Sequence, residues 1–162
     1  KAIIDPTNND IEITESSIQI LNAKGKDIKI TSGKSSLDNF KNLIRVYKNV
    51  NIALINNKDS YIKTESFYWD LRKATIDLNN PLKVNLPNTT IISSNGIYNI
   101  ESDQLTINNN IFNRKVFNKE GVQIYQIKIM ADIAKWIKDK NQLEFTSSDK
   151  QVETTINFLS LK

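Results

Sequence analysis

The sequence predicts an all-β fold of antiparallel strands in tandem strand-turn-strand repeats, and three observations carry that expectation. Apolar residues, mostly Ile and Val, recur at every second position with Lys, Asn, Thr or Asp between them, so each segment has one dry and one wet face. One pattern of this kind occurs four times, at a spacing of roughly 30 to 37 residues, the range in which self-similarity marks a stack of like supersecondary units. Polar turn signals interrupt the alternation regularly, from Asn8-Asn9-Asp10 to Lys119-Glu120-Gly121, and no linker rich in Pro, Gly or Ser intervenes. Residues 1–162 therefore read as a single domain.

The first copy runs Ile28-Lys-Ile-Thr-Ser32, then Ile44-Arg-Val46 and Val50-Asn-Ile52. The second runs Tyr61-Ile-Lys-Thr-Glu65, then Ile76-Asp-Leu78 and Leu82-Lys-Val84. Ile91-Ile-Ser-Ser94 with Leu105-Thr-Ile107 and Ile111 forms the third, and Ile127-Lys-Ile-Met-Ala131 with Leu143-Glu-Phe145 and Val152 the fourth. An Asp marks each turn region, at Asp38, Asp70, Asp103 and Asp139. Further turns are expected at Lys24-Gly25-Lys26, Asn56-Asn57-Lys58-Asp59, Asn79-Asn80-Pro81, Pro87-Asn88, Ser94-Asn95-Gly96 and Asn108-Asn109-Asn110. Two windows also have helical spacing: Leu37, Phe40, Ile44 and Tyr47, and Ile129, Ile133 and Ile137. The repeat favours strand-turn-strand at both.

Composition removes whole classes of chemistry. With no Cys and no His there is no disulfide, no thiolate or imidazole metal site, and no Ser-His-Asp or Cys-His nucleophile. Four Gly, at positions 25, 33, 96 and 121, cannot write a phosphate-cradling loop. The acidic residues are spread one per turn or strand rather than paired, so no enzyme, cofactor or metal is expected. The net charge of +4 does not point to nucleic acid, because only three Arg occur and no basic cluster forms. A solvated outer sheet face explains the lysines, and the alternative is attraction to an anionic ligand or membrane surface. The aromatics Phe67, Tyr68 and Trp69, Phe112 and Phe117, and Tyr125 and Trp136 are expected in the core or at its rim, and the sharper alternative is that some border an acyl-chain groove. Asn88-Thr-Thr90 matches a glycosylation sequon, a pattern too short to weigh in an Asn- and Thr-rich chain.

The segment Ile20-Leu-Asn-Ala-Lys-Gly-Lys-Asp-Ile-Lys-Ile-Thr-Ser32, followed by Asp38, Ile44-Arg-Val46 and Asn49-Val-Asn-Ile52, resembles the opening of LptC-like periplasmic domains of the lipopolysaccharide transport bridge. The later copies, such as Ile62-Lys-Thr-Glu65 with Ile76-Asp-Leu78, look like the repeat those domains share with LptA and OstA-like proteins. The resemblance covers about Ile11 to Phe158, and Gly25 is its most distinctive match. It implies a twisted, V-shaped antiparallel β-jelly roll, open along one side, with lipopolysaccharide acyl chains held between the sheets. It also implies a periplasmic location, an inner-membrane anchor preceding Lys1, and no catalysis.

The partners so implied are lipopolysaccharide, the inner-membrane ABC transporter LptB-LptF-LptG at the amino-terminal edge, and LptA at the carboxy-terminal edge. On alternation, Ile30, Val46, Ile52, Ile62, Leu78, Val84, Ile107 and Ile129 are the candidate lipid-facing residues. Gly25 and Ile28, and Thr155, Ile156 and Asn157 near the other end, are the candidate partner edges. The stretch Val116 to Ala131 echoes the Gly25 segment, and a helix after it would shorten the last edge. Two other classes fit the same pattern: a structural or adhesive β-repeat filled by side chains, and a carbohydrate-binding β-sandwich using Tyr68 or Trp69 as a platform.

Overall fold

The computed structural model describes residues 1–4, 7, 10–20, 28–54, 57–137, 142–148 and 151–159. Thirteen strands form one antiparallel sheet, with no helix among the described residues. They are β1 (Ala2–Ile4), β2 (Ile11–Ile20), β3 (Ile28–Asp38), β4 (Leu43–Leu54), β5 (Asn57–Asp70), β6 (Thr75–Leu78), β7 (Leu82–Leu86), β8 (Thr89–Ser93), β9 (Asn95–Asn99), β10 (Gln104–Phe117), β11 (Gln123–Ile137), β12 (Gln142–Thr146) and β13 (Glu153–Phe158). Both windows with helical spacing are strand and turn: residues 37–47 hold the β3–β4 hairpin, and 129–137 lie in β11.

The predicted repeat is present, with its turns built alike. The turns after β3, β5 and β9 occupy 39–42, 71–74 and 100–103. In each, the last strand residue caps the turn by accepting an N–H: Asp38 from Lys41 at 2.8 Å, Asp70 from Lys73 at 3.1 Å and Asn99 from Ser102 at 2.8 Å. Those bonds lower the Asp38 and Asp70 carboxyls below their ordinary range. Each turn closes on a left-handed residue, Asn42, Ala74 or Asp103. The third cap is thus Asn99, and Asp103, which the sequence singled out, occupies the closing position instead. Asp139 lies outside the described residues. The turns also bond in series, because Leu71 N–H donates to the Asn42 carbonyl and Ile100 N–H to that of Ala74.

The long strands do not run straight. Each copy is interrupted along one transverse line: Lys48 and Asn49 have positive φ within β4, 79–81 separates β6 from β7, Asn109 has positive φ within β10, and 147–152 separates β12 from β13. Glu15 does the same in β2, and Ser94 divides β8 from β9. Such irregularities bend a strand and free ladder groups. The Asn108-Asn109-Asn110 and Ser94-Asn95-Gly96 segments, expected as turns, are this crease.

Along its inner side run Ser16, Ser32, Val50, Thr64, Leu82, Ser93, Asn110 and Ala131, all buried and in neighbouring register from strand to strand. Small side chains alternate with larger ones, as a tight inside corner requires. Their hydroxyls take up the freed backbone: Ser32 Oγ donates to Lys34 O at 2.9 Å, Thr64 Oγ1 to Pro81 O at 3.2 Å, and Ser93 Oγ to Asn108 O at 2.6 Å. In the fourth copy Ala131 has no hydroxyl, and Asn110 Nδ2 reaches its carbonyl at 3.0 Å instead.

Folded along this line, the inner faces of the two halves share one core. Ile30, Val84, Ile91 and Phe112 on one side meet Val46, Phe67, Ile76, Leu78 and Ile107 on the other. Phe112 packs edge-on against Phe145 across the interior at 5.3 Å.

Two substitutions test this geometry by urea unfolding. A Cβ at Gly96 would sit 2.8 Å from both Ile107 Cγ2 and Thr106 O, so Gly96→Ala should cost about 1–3 kcal/mol. Ala74 has φ of 50°, so Ala74→Gly should stabilise by about 0.5–1 kcal/mol.

Candidate ligand-binding site

Where the two halves diverge, opposite the crease, an apolar cavity of about 80 Å³ opens. Ile28, Ile52, Ile62, Val84 and Leu86 line one wall, and Ile76, Leu78, Tyr98, Leu105 and Trp136 the other. Its volume is that of roughly three water molecules, enough for the end of an alkyl chain. Among the described residues the interior is packed over most of its depth beside this mouth, which is a narrower opening than a groove with acyl chains lying between the sheets.

One polar pair stands at the lip. Tyr98 donates its phenol to Asp103 Oδ1 at 2.6 Å, and both residues line the cavity. Burial foremost, and then the bond to Asp103, push the Tyr98 phenol well above the ordinary tyrosine range. Tyr98 therefore remains a neutral donor, and its ring is packed against the core.

Ile52, Ile62, Leu78 and Val84 face inward, the orientation that follows from their alternation, and they line the mouth. Ile30, Val46 and Ile107 also face inward but are buried in the packed core, and Ile129 is half-buried against it. Sequence reasoning missed Tyr98 as a wall residue, although it continues the alternation of β9; Trp136, expected in the core or at its rim, packs against the core and completes the wall. Of the other aromatics, Phe67 and Phe112 are core and Trp69 packs on the core, while Tyr68 holds the Arg45 guanidinium over its ring at 5.5 Å. Neither Tyr68 nor Trp69 presents a vacant flat platform. Among the described residues no group of three or more Asp or Glu could hold a metal ion.

The edges differ from expectation. Gly25 lies outside the described residues. Ile28 is not at an edge, since β3 is paired on both sides, with Ile20 and Leu54 opposite Ile28. The amino-terminal edge is β1 and the part of β2 beyond it. At the other side β12 and β13 follow each other along β11. Leu159 N–H donates to Ile124 O at 3.0 Å, and antiparallel alternation from that bond turns the N–H and C=O of Thr155 and Asn157 toward β11. Of the three predicted contact residues, only Ile156 presents its backbone outward, together with Thr154 and Phe158.

The dry face does not stop at the core. Ile156 and Phe158, opposite Ile127 and Tyr125, continue it onto β13, where they are 49% and 77% exposed. At the other edge Ile13 and Ile4 do the same on β2 and β1. The chain matches no family model, and no curated protein matches it.

Titration tests the lip. Because the folded phenol ionises at higher pH than the unfolded one, Tyr98 favours the fold fully below about pH 10, and this is lost as pH rises further. Tyr98→Phe should cost about 1.5–3 kcal/mol near neutrality. Urea midpoints from about pH 8 to 11 should show the gap between variant and parent shrinking above about pH 10.

Proposed function

We propose that this chain is a non-catalytic carrier of long-chain lipids, acting like LptC to pass lipopolysaccharide from the inner-membrane transporter to a periplasmic bridge. The observation that carries this reading is the continuity of the dry face: it runs from the core onto exposed strands at both edges of the sheet. A structural repeat closed on itself would cover those edges with polar side chains. Here a second sheet of the same kind, added by backbone pairing, extends the trough.

Lipid sits with a chain end in the mouth lined by Ile52, Ile62, Leu78 and Val84. Each methylene removed from water contributes about 0.8 kcal/mol. Longer chains enter as the halves part about the crease, where the ladders of β4 with β3 and with β5 shift register. No bond is broken in such a transfer, so carboxylates, metals and cofactors have no part in it. An LptA-like position within the bridge uses the same surfaces; binding to the transporter separates the two.

A photocrosslinking residue at Ile52, Ile62, Leu78 or Val84 should capture lipopolysaccharide, and the purified domain should release a bound fluorescent lipid A analogue when lipopolysaccharide is added. The outward-facing Lys29 and Asp77 serve as controls. Equal capture at both sets overturns the carrier reading.

Edge pairing makes a separate prediction. Thr154→Pro removes an outward N–H while leaving the bonds to β11 intact, and should abolish LptA binding with the thermal midpoint nearly unchanged. Undiminished affinity in the folded variant would place the docking edge elsewhere.

A further inference from the structure

The outer face of the sheet carries a feature that neither the mouth nor the edges use. Behind the crease lies a concavity of about 930 Å³, bordered by Asn51, Tyr61, Lys63, Glu65, Lys83 and Ile92. Its floor is main chain, because Val50, Thr64 and Leu82 turn their side chains inward. The positive φ of Asn49 and the break at Pro81 bend the strands away from the solvent side here. The hollow is therefore a product of the fold line itself.

Lys63 and Lys83 are directly opposed in the β5–β7 register. Both side chains are exposed, and neither takes part in the ion pairs Lys34–Glu12, Lys41–Asp38 or Lys73–Asp70. Like charges facing each other across two strands destabilise a sheet, and none of the ion pairs among the described residues offsets this one. Glu65 borders the same hollow without reaching either ammonium. Lys63 Nζ lies 5.2 Å from the centre of the Tyr61 ring, which fixes the charge at the wall of the hollow. Beside Lys63 in the same row is Asn51, whose Oδ1 is buried with no hydrogen-bond partner.

We propose that the hollow binds an anionic saccharide: a phosphate or carboxylate held between Lys63 and Lys83, with its sugar ring against Ile92. Two ammonium groups supply several donors to one anion. Asn51 and Glu65 supply acceptors for ring hydroxyls, which a bare anion would leave unused. The site lies on the face of the sheet away from the lipid cavity, and Tyr61 borders both.

Glucose 1-phosphate, glucuronate, glucose and inorganic phosphate are the probes, titrated into the whole chain at low salt and followed by amide shifts. Saturable binding of the two acidic sugars should centre on Lys63 and Lys83, with uncharged glucose roughly tenfold weaker or worse. The double variant Lys63→Gln/Lys83→Gln should lose that binding by about tenfold or more, and each single variant by a smaller factor. Raising the salt should weaken it. Relief of the opposed charges should leave the thermal midpoint of Lys83→Gln unchanged or raised, which distinguishes a ligand site from a structural contact. Three results overturn the proposal: acidic-sugar binding unaffected by the double variant, no saturable binding of any probe, or inorganic phosphate bound as tightly as the sugar phosphate. The last would leave a simple anion site without a saccharide.

Discussion

The architecture depends on how the sheet bends without stranding its own hydrogen-bonding groups. A buried backbone donor or acceptor left without a partner costs about 1–3 kcal/mol, and a straight crease across many strands would strand several at once. The chain meets this by placing short hydroxyl side chains on the forward strand of three successive copies, at Ser32, Thr64 and Ser93, each bonded to a carbonyl that the bend sets free. Everything else follows from that row. The two halves can close on one core, the mouth opens on the side away from the row, and the outer hollow forms behind it. The buried Ser16–Ser32 contact, 2.6 Å between hydroxyl oxygens, carries the same device one strand further.

Much of this was legible in the residues. Alternation placed Ile52, Ile62, Leu78 and Val84 on the inner face, and it did so because a strand's period of two leaves no other assignment for a half-wet segment. Even the division of the returning strands, such as Ile76-Asp-Leu78 from Leu82-Lys-Val84, coincides with the fold line. What the residues concealed was the meaning of the interruptions. Asn-rich triplets have the same local preference for left-handed backbone whether the chain reverses or merely bends, so Asn108-Asn109-Asn110 looked like a turn while lying within β10. Asp103 misled for a related reason. Asp and Asn both cap turns and both tolerate positive φ, and only the register shows which residue does which.

The edges were the hardest to read, and for a definite reason. Whether a strand is terminal depends on long-range pairing, which local pattern does not encode, and the outward or inward aim of a given N–H depends on the phase of that pairing. Ile28 resembles an edge residue in sequence and has neighbours on both sides in space. Thr155 and Asn157 do lie on the last strand, yet one hydrogen bond at Leu159 sets their main chain facing the wrong way for a partner.

The serial bonding of the turns has an evolutionary corollary. Because Asn42 accepts from Leu71 as Ala74 accepts from Ile100, the second unit offers the third the same docking surface that it received from the first. Duplicating or deleting one complete unit would therefore join like to like, with neither register nor handedness to repair. The width of the domain is then a quantised variable, set by how many units were copied, and selection could lengthen or shorten the protein in whole steps while leaving every surviving contact in place.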